Sequence, residues 1–224
     1  MYHYILFDLD GTLTDSREGI FNSVRYSLQK LNRPAPPYET LLRFVGPPLQ
    51  DSFQRYCGMT AEEARRAVTV FRERYEVVGW AENKAADGVV ELLGRLKERG
   101  CALAIASSKP EHSVIPIAEK FGFMPYLAAA CGSDGENESK ADVIRAALRR
   151  LQVGTAELPE TVMVGDRKFD VEGAAACGLS CIGVEFFDFA LPGELEQAGA
   201  LAVCKTAGEL EAALLQAEAK EKNE

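Results

Sequence analysis

The stretch Tyr4-Ile5-Leu6-Phe7-Asp8-Leu9-Asp10-Gly11-Thr12 decides the fold class of this chain. Its first four residues form a short apolar run with aromatic and β-branched side chains. Such a run, ended by Asp8 and Gly11, predicts a buried strand that leads into a loop. The loop therefore carries two carboxylates, Asp8 and Asp10, directly after a strand.

Similar apolar runs recur along the chain and alternate with segments of helical period. Two of these segments, 89–99 and 141–151, have apolar residues at the spacing of one helix face. Strand and helix in alternation predict an α/β protein with a doubly wound parallel sheet, a Rossmann-like core. The further predicted strands are 101–106, 161–164, 180–184 and a weaker one at 201–203.

The alternation fails between residues 16 and 82, where only helical patterns broken by prolines are found. Thr60 followed by Glu63 is the signature of a capping box at the start of a helix, predicted to run to Trp80. We therefore predict an all-helical cap at 16–82, inserted into an α/β core of residues 1–15 and 83–224. Linkers near 14–16 and 81–86 would join the two.

Composition argues against several classes of partner. The formal net charge is −9 and the chain has no long basic run, so nucleic acid is not an expected partner. No apolar stretch approaches the roughly 20 residues that span a bilayer, and the start lacks the features of a signal peptide. We expect a cytoplasmic monomer or homodimer without membrane contact, in which the six cysteines are reduced core residues.

Polar residues follow the predicted strands at the edge where ligands bind in parallel sheets. Three or four carboxylates at one edge repel one another unless a cation neutralises them, and Mg²⁺ accepts oxygen ligands together with a substrate phosphate. We expect Asp8, Asp166 and a backbone carbonyl as ligands. The strand-end residues are Asp8 and Asp10, then Ser107, Ser108 and Lys109, then Gly165, Asp166, Arg167 and Asp170, with Lys140 at the start of the intervening helix.

These residue types suit phosphoryl transfer through an aspartate. Asp8 can attack phosphorus, while Asp10 protonates the leaving oxygen and later deprotonates water. Gly11 permits close approach of the backbone, and Thr12 offers a hydroxyl and an amide. Ser107 and Lys140 would hold the phosphoryl oxygens.

Structural roles compete with these assignments. Asp8 and Asp10 could form a turn after the strand, and Ser107 could cap the next helix. Lys140 could be a solvated residue of a first helical turn, although a cation there opposes the helix dipole.

In order, Asp8-Leu9-Asp10-Gly11-Thr12, Ser107, Lys140 and the segment from Gly165 to Asp170 resemble the four motifs of the haloacid dehalogenase superfamily. The helical insertion lies where one subclass of that family has a helical cap. The resemblance implies a magnesium-dependent phosphatase with Asp8 as nucleophile and Asp10 as acid and base. It also implies Asp8, Asp166 and the Asp10 carbonyl on Mg²⁺, with Asp170 as a ligand through water or a partner of a direct ligand.

The segment Phe44-Val45-Gly46-Pro47-Pro48-Leu49, together with Gly165-Asp166-Arg167, is similar to the phosphoglycolate phosphatase and 5′-nucleotidase-like branch. The expected substrate is therefore a small phosphorylated metabolite, phosphoglycolate or a nucleoside 5′-monophosphate. The turn at 43–48 is either only a rigid turn or a substrate-facing loop. In the second case Arg43 and Gly46 are candidate substrate-binding residues. Ser108 of the core is a candidate substrate- or phosphate-binding residue in either case.

The aromatic segment at 185–189 departs from the glycine-containing loop usual in the family. Phe186, Phe187 and Phe189 could be core residues or an apolar wall against a substrate.

Two other functions share the site chemistry: an aspartyl-phosphate phosphomutase, and a phospho-accepting signalling module. A dehalogenase is not expected, because such enzymes need no metal and typically lack the second aspartate.

Overall fold

A computed structural model describes residues 1–134 and 139–215 of the chain. Its contacts divide the chain into two units: Met1–Thr14 together with Ala85–Glu224, and Asp15–Lys84. We call the first the core unit and the second the cap unit. The second unit begins one residue before the predicted insertion at 16–82 and ends two residues after it.

The core unit is built on a parallel sheet of six strands in the order β5-β4-β1-β6-β7-β8, which confirms the predicted fold class. The chain moves outward from β1 through β4 to β5, then returns to β6 on the other side of β1. The strand order therefore reverses between β1 and β6, the place where parallel sheets form ligand crevices. The strands of the chain are β1 Tyr4–Phe7, β2 Thr14–Asp15, β3 Lys84–Ala85, β4 Ala102–Pro110, β5 Leu127–Ser133, β6 Thr161–Gly165, β7 Ser180–Val184 and β8 Val203–Cys204.

The observed strands differ from the predicted ones. β4 continues to Pro110, four residues past the predicted end at 106, so Ser107, Ser108 and Lys109 lie within the strand. The short strands β2 and β3 were not predicted. The edge strand β5 was not predicted, because its sequence, LAAACGS, has no β-branched or aromatic residue. The weak strand predicted at 201–203 lies at Val203–Cys204 instead. Both strands lie at the edges of the sheet, where fewer neighbours fix their position.

Ten α-helices complete the two units within the described residues. In α7 the buried residues Val143, Ile144, Ala147 and Leu148 form one face, which packs in a core cluster with Leu6 and other sheet residues. The helices are α1 Arg17–Lys30, α2 Tyr38–Leu41, α3 Leu49–Cys57 and α4 Ala61–Tyr75 in the cap, then α5 Val89–Glu98, α6 Glu111–Lys120, α7 Lys140–Arg150, α8 Lys168–Ala175, α9 Glu194–Ala198 and α10 Ala207–Leu215 in the core.

The capping box predicted in the cap unit is present at the start of α4. The Thr60 hydroxyl accepts from the Glu63 amide at 3.3 Å, and the Glu63 carboxylate accepts from the Thr60 amide at 2.9 Å. The helix ends at Tyr75 rather than at Trp80, and a separate 3₁₀ turn covers Gly79–Glu82. The strands β2 and β3, which flank the predicted insertion in sequence, pair as a two-stranded sheet.

Two expectations from composition can be compared with the structure. All six cysteines are free, and four of them are buried. Among the described residues, no helix combines the length and apolar character needed to cross a bilayer.

Candidate active site

The site begins where β1 and β6 end side by side. The Asp8 amide donates to the Val164 carbonyl at 2.8 Å, which continues the pairing of the two strands to the first residue of the loop. Asp166 directly follows Gly165, the last residue of β6. The strand pairing therefore places these two aspartates next to each other at the point where the strand order reverses.

Three buried carboxylates converge there. One oxygen from each of Asp8, Asp166 and Asp170 lies within 4.8 Å of the others. Asp170 is oriented by the backbone, because its carboxylate accepts from the Arg167 amide at 3.0 Å. The sequence predicted these three aspartates as neighbours, and the structure brings them together.

Two glycines make room for the carboxylates. A Cβ on Gly165 would lie 2.2 Å from Cγ of Asp170, and a Cβ on Gly11 would lie 2.1 Å from Oδ2 of Asp166. Gly11 also has a φ of +93°, in the left-handed region that favours glycine. No larger residue fits at either position without moving an aspartate.

Lys140, the first residue of α7, supplies a cation to the cluster. Its Nζ donates to Asp8 at 2.5 Å and contacts Asp170 at 2.7 Å. The start of α7 is fixed by a capping box between Ser139 and Asp142. The alternative of a solvated first-turn lysine is wrong, since only 6% of the side chain is exposed.

The remaining predicted core residues surround this cluster. The Thr12 hydroxyl donates to Asp166 at 3.3 Å. Asp10 forms an ion pair of 2.8 Å with Lys109, and its other carboxylate oxygen is buried without a hydrogen-bond partner among the described residues. No role was predicted for Lys109, whose only signal in the sequence is its position near the end of β4.

Ser107 and Ser108 lie at the same end of β4 with different exposure. Ser107 is buried, and its hydroxyl accepts from the Lys109 amide at 3.3 Å. The N-cap residue of α6 is Pro110, without a side-chain cap, so the alternative that Ser107 caps this helix is wrong. Ser108 is exposed.

The charges in the cluster perturb one another. Burial raises the pKa of Asp8 to about 6, although Lys140 opposes the increase. Burial and the charges of Asp170 and Asp8 also raise the pKa of Asp166 well above its ordinary value. Burial alone would lower the pKa of Lys140, but Asp170 and Asp8 hold it above its ordinary value.

The donor set suits a hard divalent cation. Three buried carboxylates face a single lysine, and Oδ2 of Asp166 has no hydrogen-bond partner within the described ranges. Oxygen ligands of this kind are those that Mg²⁺ and Ca²⁺ prefer. The cluster can therefore bind a metal ion.

The cap residues predicted to contact substrate lie in the segment between α2 and α3. Arg43 is half-buried in a 3₁₀ turn, Leu42–Phe44, and Gly46 is exposed with a φ of +97°. The segment is anchored by Phe44, whose ring packs edge-on against Phe53 with centroids 5.2 Å apart. A substrate-binding role for Arg43 and Gly46 stays a prediction.

The aromatic segment after β7 is divided between core and surface. Phe189 is buried, whereas Phe186 and Phe187 are half-buried. The Phe187 and Phe189 rings are 5.8 Å apart. One of the three phenylalanines is therefore a core residue.

Comparison with known proteins places the site in a family. The family model described as haloacid dehalogenase-like hydrolase matches residues 5–184, which include every aspartate of the cluster. The chain belongs to this family. Its relatives include proteins named 5′-nucleotidase and phosphoglycolate phosphatase, and this haloacid dehalogenase-like hydrolase is a phosphatase.

The relatives of this chain carry different names. A 5′-nucleotidase of Pseudomonas aeruginosa is 41% identical, with 83% of each chain covered. The tyrosine-protein kinase PtkA of Mycobacterium tuberculosis is 40% identical over 80% of this chain and 61% of its own. A phosphoglycolate phosphatase of Pseudomonas aeruginosa is 29% identical, over 81% of this chain and 69% of its own.

A solved structure supports the fold over nearly the whole chain. The crystal structure of a predicted phosphatase from Clostridium acetobutylicum superimposes with a TM-score of 0.89 at 41% identity. It covers 96% of this chain and 99% of its own.

Proposed function

We propose that the chain is a magnesium-dependent phosphomonoester hydrolase that forms an aspartyl-phosphate on Asp8. The observation that carries the proposal is the position of Lys140, whose Nζ bridges Asp8 and Asp170 inside a cluster of three buried carboxylates. This arrangement leaves an excess of negative charge that a divalent cation would neutralise. Asp8, Asp166 and Asp170, with the Asp10 carbonyl, would hold Mg²⁺, which when bound supplies positive charge to the transferring phosphoryl group.

In the first step, an Asp8 carboxylate oxygen forms a bond to phosphorus while the ester bond breaks. The leaving oxygen takes a proton from Asp10. Lys140 screens the charge of Asp8, the Ser107 hydroxyl donates to a phosphoryl oxygen, and the Thr12 hydroxyl holds Asp166. The products of this step are the free alcohol and phospho-Asp8.

In the second step, Asp10 takes a proton from a water molecule whose oxygen attacks the phosphorus of phospho-Asp8. The bond to the carboxylate breaks, which releases inorganic phosphate and restores Asp8. Asp10 regains the proton that it lost in the first step. Its contact with Lys109 fixes the carboxylate near the site of both transfers.

The substrate we propose is a small phosphorylated metabolite. We propose a nucleoside 5′-monophosphate as the first candidate and phosphoglycolate as the second. The relative named 5′-nucleotidase supports this order at 41% identity, against 29% for the phosphoglycolate phosphatase. Arg43 and Gly46 in the cap, and Ser108 in the core, are proposed to contact the leaving group. Arg43→Ala and Ser108→Ala should therefore change KM more than kcat.

The proposal is tested by phosphate release with Mg²⁺ across nucleoside 5′-monophosphates, phosphoglycolate, sugar phosphates and pyrophosphate. We expect the highest kcat/KM with a nucleoside 5′-monophosphate, and a fall of at least about 10⁴-fold in Asp8→Asn. Asp87→Asn, which changes an exposed aspartate of the same unit, is the matched control. Turnover retained by a folded Asp8→Asn protein would remove Asp8 from the nucleophile role.

Three other outcomes would replace the hydrolase assignment. Isomerisation of a hexose phosphate that depends on a bisphosphate primer would indicate a phosphomutase. A long-lived phospho-Asp8 without phosphate release, measured by intact mass, would indicate a signalling module. Transfer of the phosphoryl group to a tyrosine peptide would match the name of the mycobacterial relative.

A further inference from the structure

A buried ion pair lies beside the carboxylate cluster and takes no part in the chemistry proposed above. The Arg167 Nε donates to Glu194 at 2.8 Å, and the two side chains are 8% and 6% exposed. Arg167 lies in sequence between Asp166 and Asp170, whereas Glu194 is the first residue of α9. The pair therefore joins the segment that carries two of the clustered aspartates to the segment that follows β7.

The Glu194 carboxylate accepts hydrogen bonds from two backbone amides as well as from the Arg167 guanidinium. The Lys168 amide donates to it at 3.1 Å, and the Leu191 amide donates to its other oxygen at 3.1 Å. The first amides of a helix have no partner within the helix, and Lys168 is the first residue of α8. Glu194 thus caps α8 from a different part of the chain.

The position of Glu194 is itself fixed by packing. Its neighbour Leu195 is fully buried against β7, where a Cβ on Gly183 would lie 2.9 Å from a Leu195 methyl group. α9 therefore lies too close to β7 to shift inward. The Glu194 carboxylate, which this helix holds in place, therefore fixes the position of the start of α8.

The start of α8 in turn orients the cluster. The Arg167 amide donates to Asp170, whose other oxygen contacts Lys140 at 2.7 Å. A change in the backbone at Arg167 and Lys168 would therefore rotate Asp170 and move the neighbouring Asp166. Groups that orient metal ligands commonly change metal affinity by 10–100-fold when they are replaced.

We propose that Glu194 is a positioning residue for the metal site, which holds Arg167 and the start of α8 so that Asp166 and Asp170 keep their orientation. The inference rests on the proposed function, because it assumes that the cluster binds Mg²⁺. It adds a residue outside the four motifs to the determinants of Mg²⁺ affinity.

The test is the Mg²⁺ dissociation constant of the intact chain, measured by isothermal titration calorimetry without substrate. We expect Glu194→Gln to raise this constant about tenfold. The matched control is Glu211→Gln, which breaks the more exposed pair of Glu211 with Arg95 in the same unit and should leave the constant unchanged. Glu194→Asp, which keeps the charge, should recover part of the affinity.

Loss of a carboxylate from a buried pair can also unfold the protein. If Glu194→Gln does not fold, the same titration is carried out on the double variant Arg167→Met with Glu194→Leu, which leaves no buried charge of this pair without its partner. A folded variant with the affinity of the Glu211→Gln control would overturn the inference. Absence of Mg²⁺ binding by the unaltered chain would instead contradict the metal dependence in the proposed function.

Discussion

The carboxylate cluster of the core unit and the ion pairs of the cap unit use the same kinds of side chain under different conditions. In the core, Lys140, Asp8 and Asp170 have only 6, 11 and 3% of their side chains exposed. In the cap, Arg74 and Glu82 are joined by two hydrogen bonds of 2.8 Å and are 21 and 26% exposed.

The two regions also differ in charge balance. In the cap, the Arg74–Glu82 pair matches one acid with one base. In the core cluster, three carboxylates face one lysine. Buried charge without full compensation lowers the stability of the folded chain, and such groups are concentrated where ligands bind. The difference indicates that the cap pairs stabilise a fold, whereas the core cluster is arranged for a cation and a phosphoryl group.

Among the changes that test this comparison, removal of the buried lysine should have the largest effect on stability. Lys140→Met leaves Asp8 and Asp170 buried without their cation, and we expect the free energy of unfolding to fall by about 3–5 kcal/mol. Mg²⁺ should restore part of the loss, because it supplies positive charge to the same carboxylates. Urea unfolding in EDTA and in Mg²⁺ measures both effects.

The matched control for this change is Lys205→Met, at an exposed lysine of the same unit. It should change the unfolding free energy by less than about 0.5 kcal/mol. Equal stability of the two variants would mean that the cluster is not held together by Lys140.

The residues in and around the cluster were not equally accessible to prediction from the sequence. The aspartates of the cluster could be predicted because each follows a strand, and parallel strands bring their carboxyl ends to one edge. The pairing of Lys109 with Asp10 could not, since a strand-end lysine can extend in several directions. Glu194 gave no signal, because its contacts with Arg167 and Lys168 join residues 27 and 26 positions apart.

Two details of the secondary structure were also missed by prediction from the sequence. The strand β5 consists mainly of small residues, so its extended conformation depends on pairing with β4 rather than on its own composition. The helix α4 ends five residues before Trp80, where the pattern of apolar residues did not mark its end. For β5, pairing with a strand that is distant in sequence decides what the local sequence leaves open.

The core unit and the cap unit each contain a glycine with a positive φ, and substitution of the two glycines compares the effect of backbone strain in the two units. Gly11 in the core has a φ of +93° and faces Asp166, whereas Gly58 at the end of α3 has a φ of +62° and nothing within 4 Å of a Cβ. We expect Gly58→Ala to lower stability by about 1 kcal/mol through backbone strain alone. Gly11→Ala should lower it further and weaken Mg²⁺ binding by roughly tenfold or more, because Asp166 must move.

Urea unfolding and titration calorimetry on both variants distinguish the effect of backbone strain from the effect of displacing Asp166. Gly58→Ala serves as the control for strain at positive φ. Mg²⁺ affinity that is the same in both variants would contradict the close approach of Gly11 to Asp166.

The uncompensated charge of the cluster should make the metal-free core sensitive to pH. Burial raises the pKa of Asp8 to about 6 from the ordinary value of 3.8. Between these values the folded chain holds a proton that the unfolded chain has released. The contribution of Asp8 to stability is therefore fully present below about pH 4 and is lost as the pH rises through about 6.

Mg²⁺ requires the deprotonated carboxylate, so its affinity should rise as the pH increases through about 6, by up to about tenfold per pH unit for each proton released. Calorimetry at pH 6 in two buffers of different ionisation enthalpy counts these protons, and fewer should be released at pH 8. Asp8→Asn should release fewer protons at pH 6 than the unaltered chain. If the Mg²⁺ affinity does not change between pH 5 and pH 8, this result would contradict the raised pKa of Asp8.

The smallest effect is expected from the ion pair of the cap. Arg74→Met removes both hydrogen bonds to Glu82, but water reaches these side chains and Asn22 still donates to Glu82 at 3.3 Å. We expect the free energy of unfolding to fall by about 1 kcal/mol or less, with a smaller loss at high salt and no change in Mg²⁺ affinity. Glu82→Gln should behave in the same way, because it removes the charge from the other side of the pair. A loss as large as that of Lys140→Met would show that burial is not what separates the two regions, since the cap pair would then be as important to folding as the buried lysine.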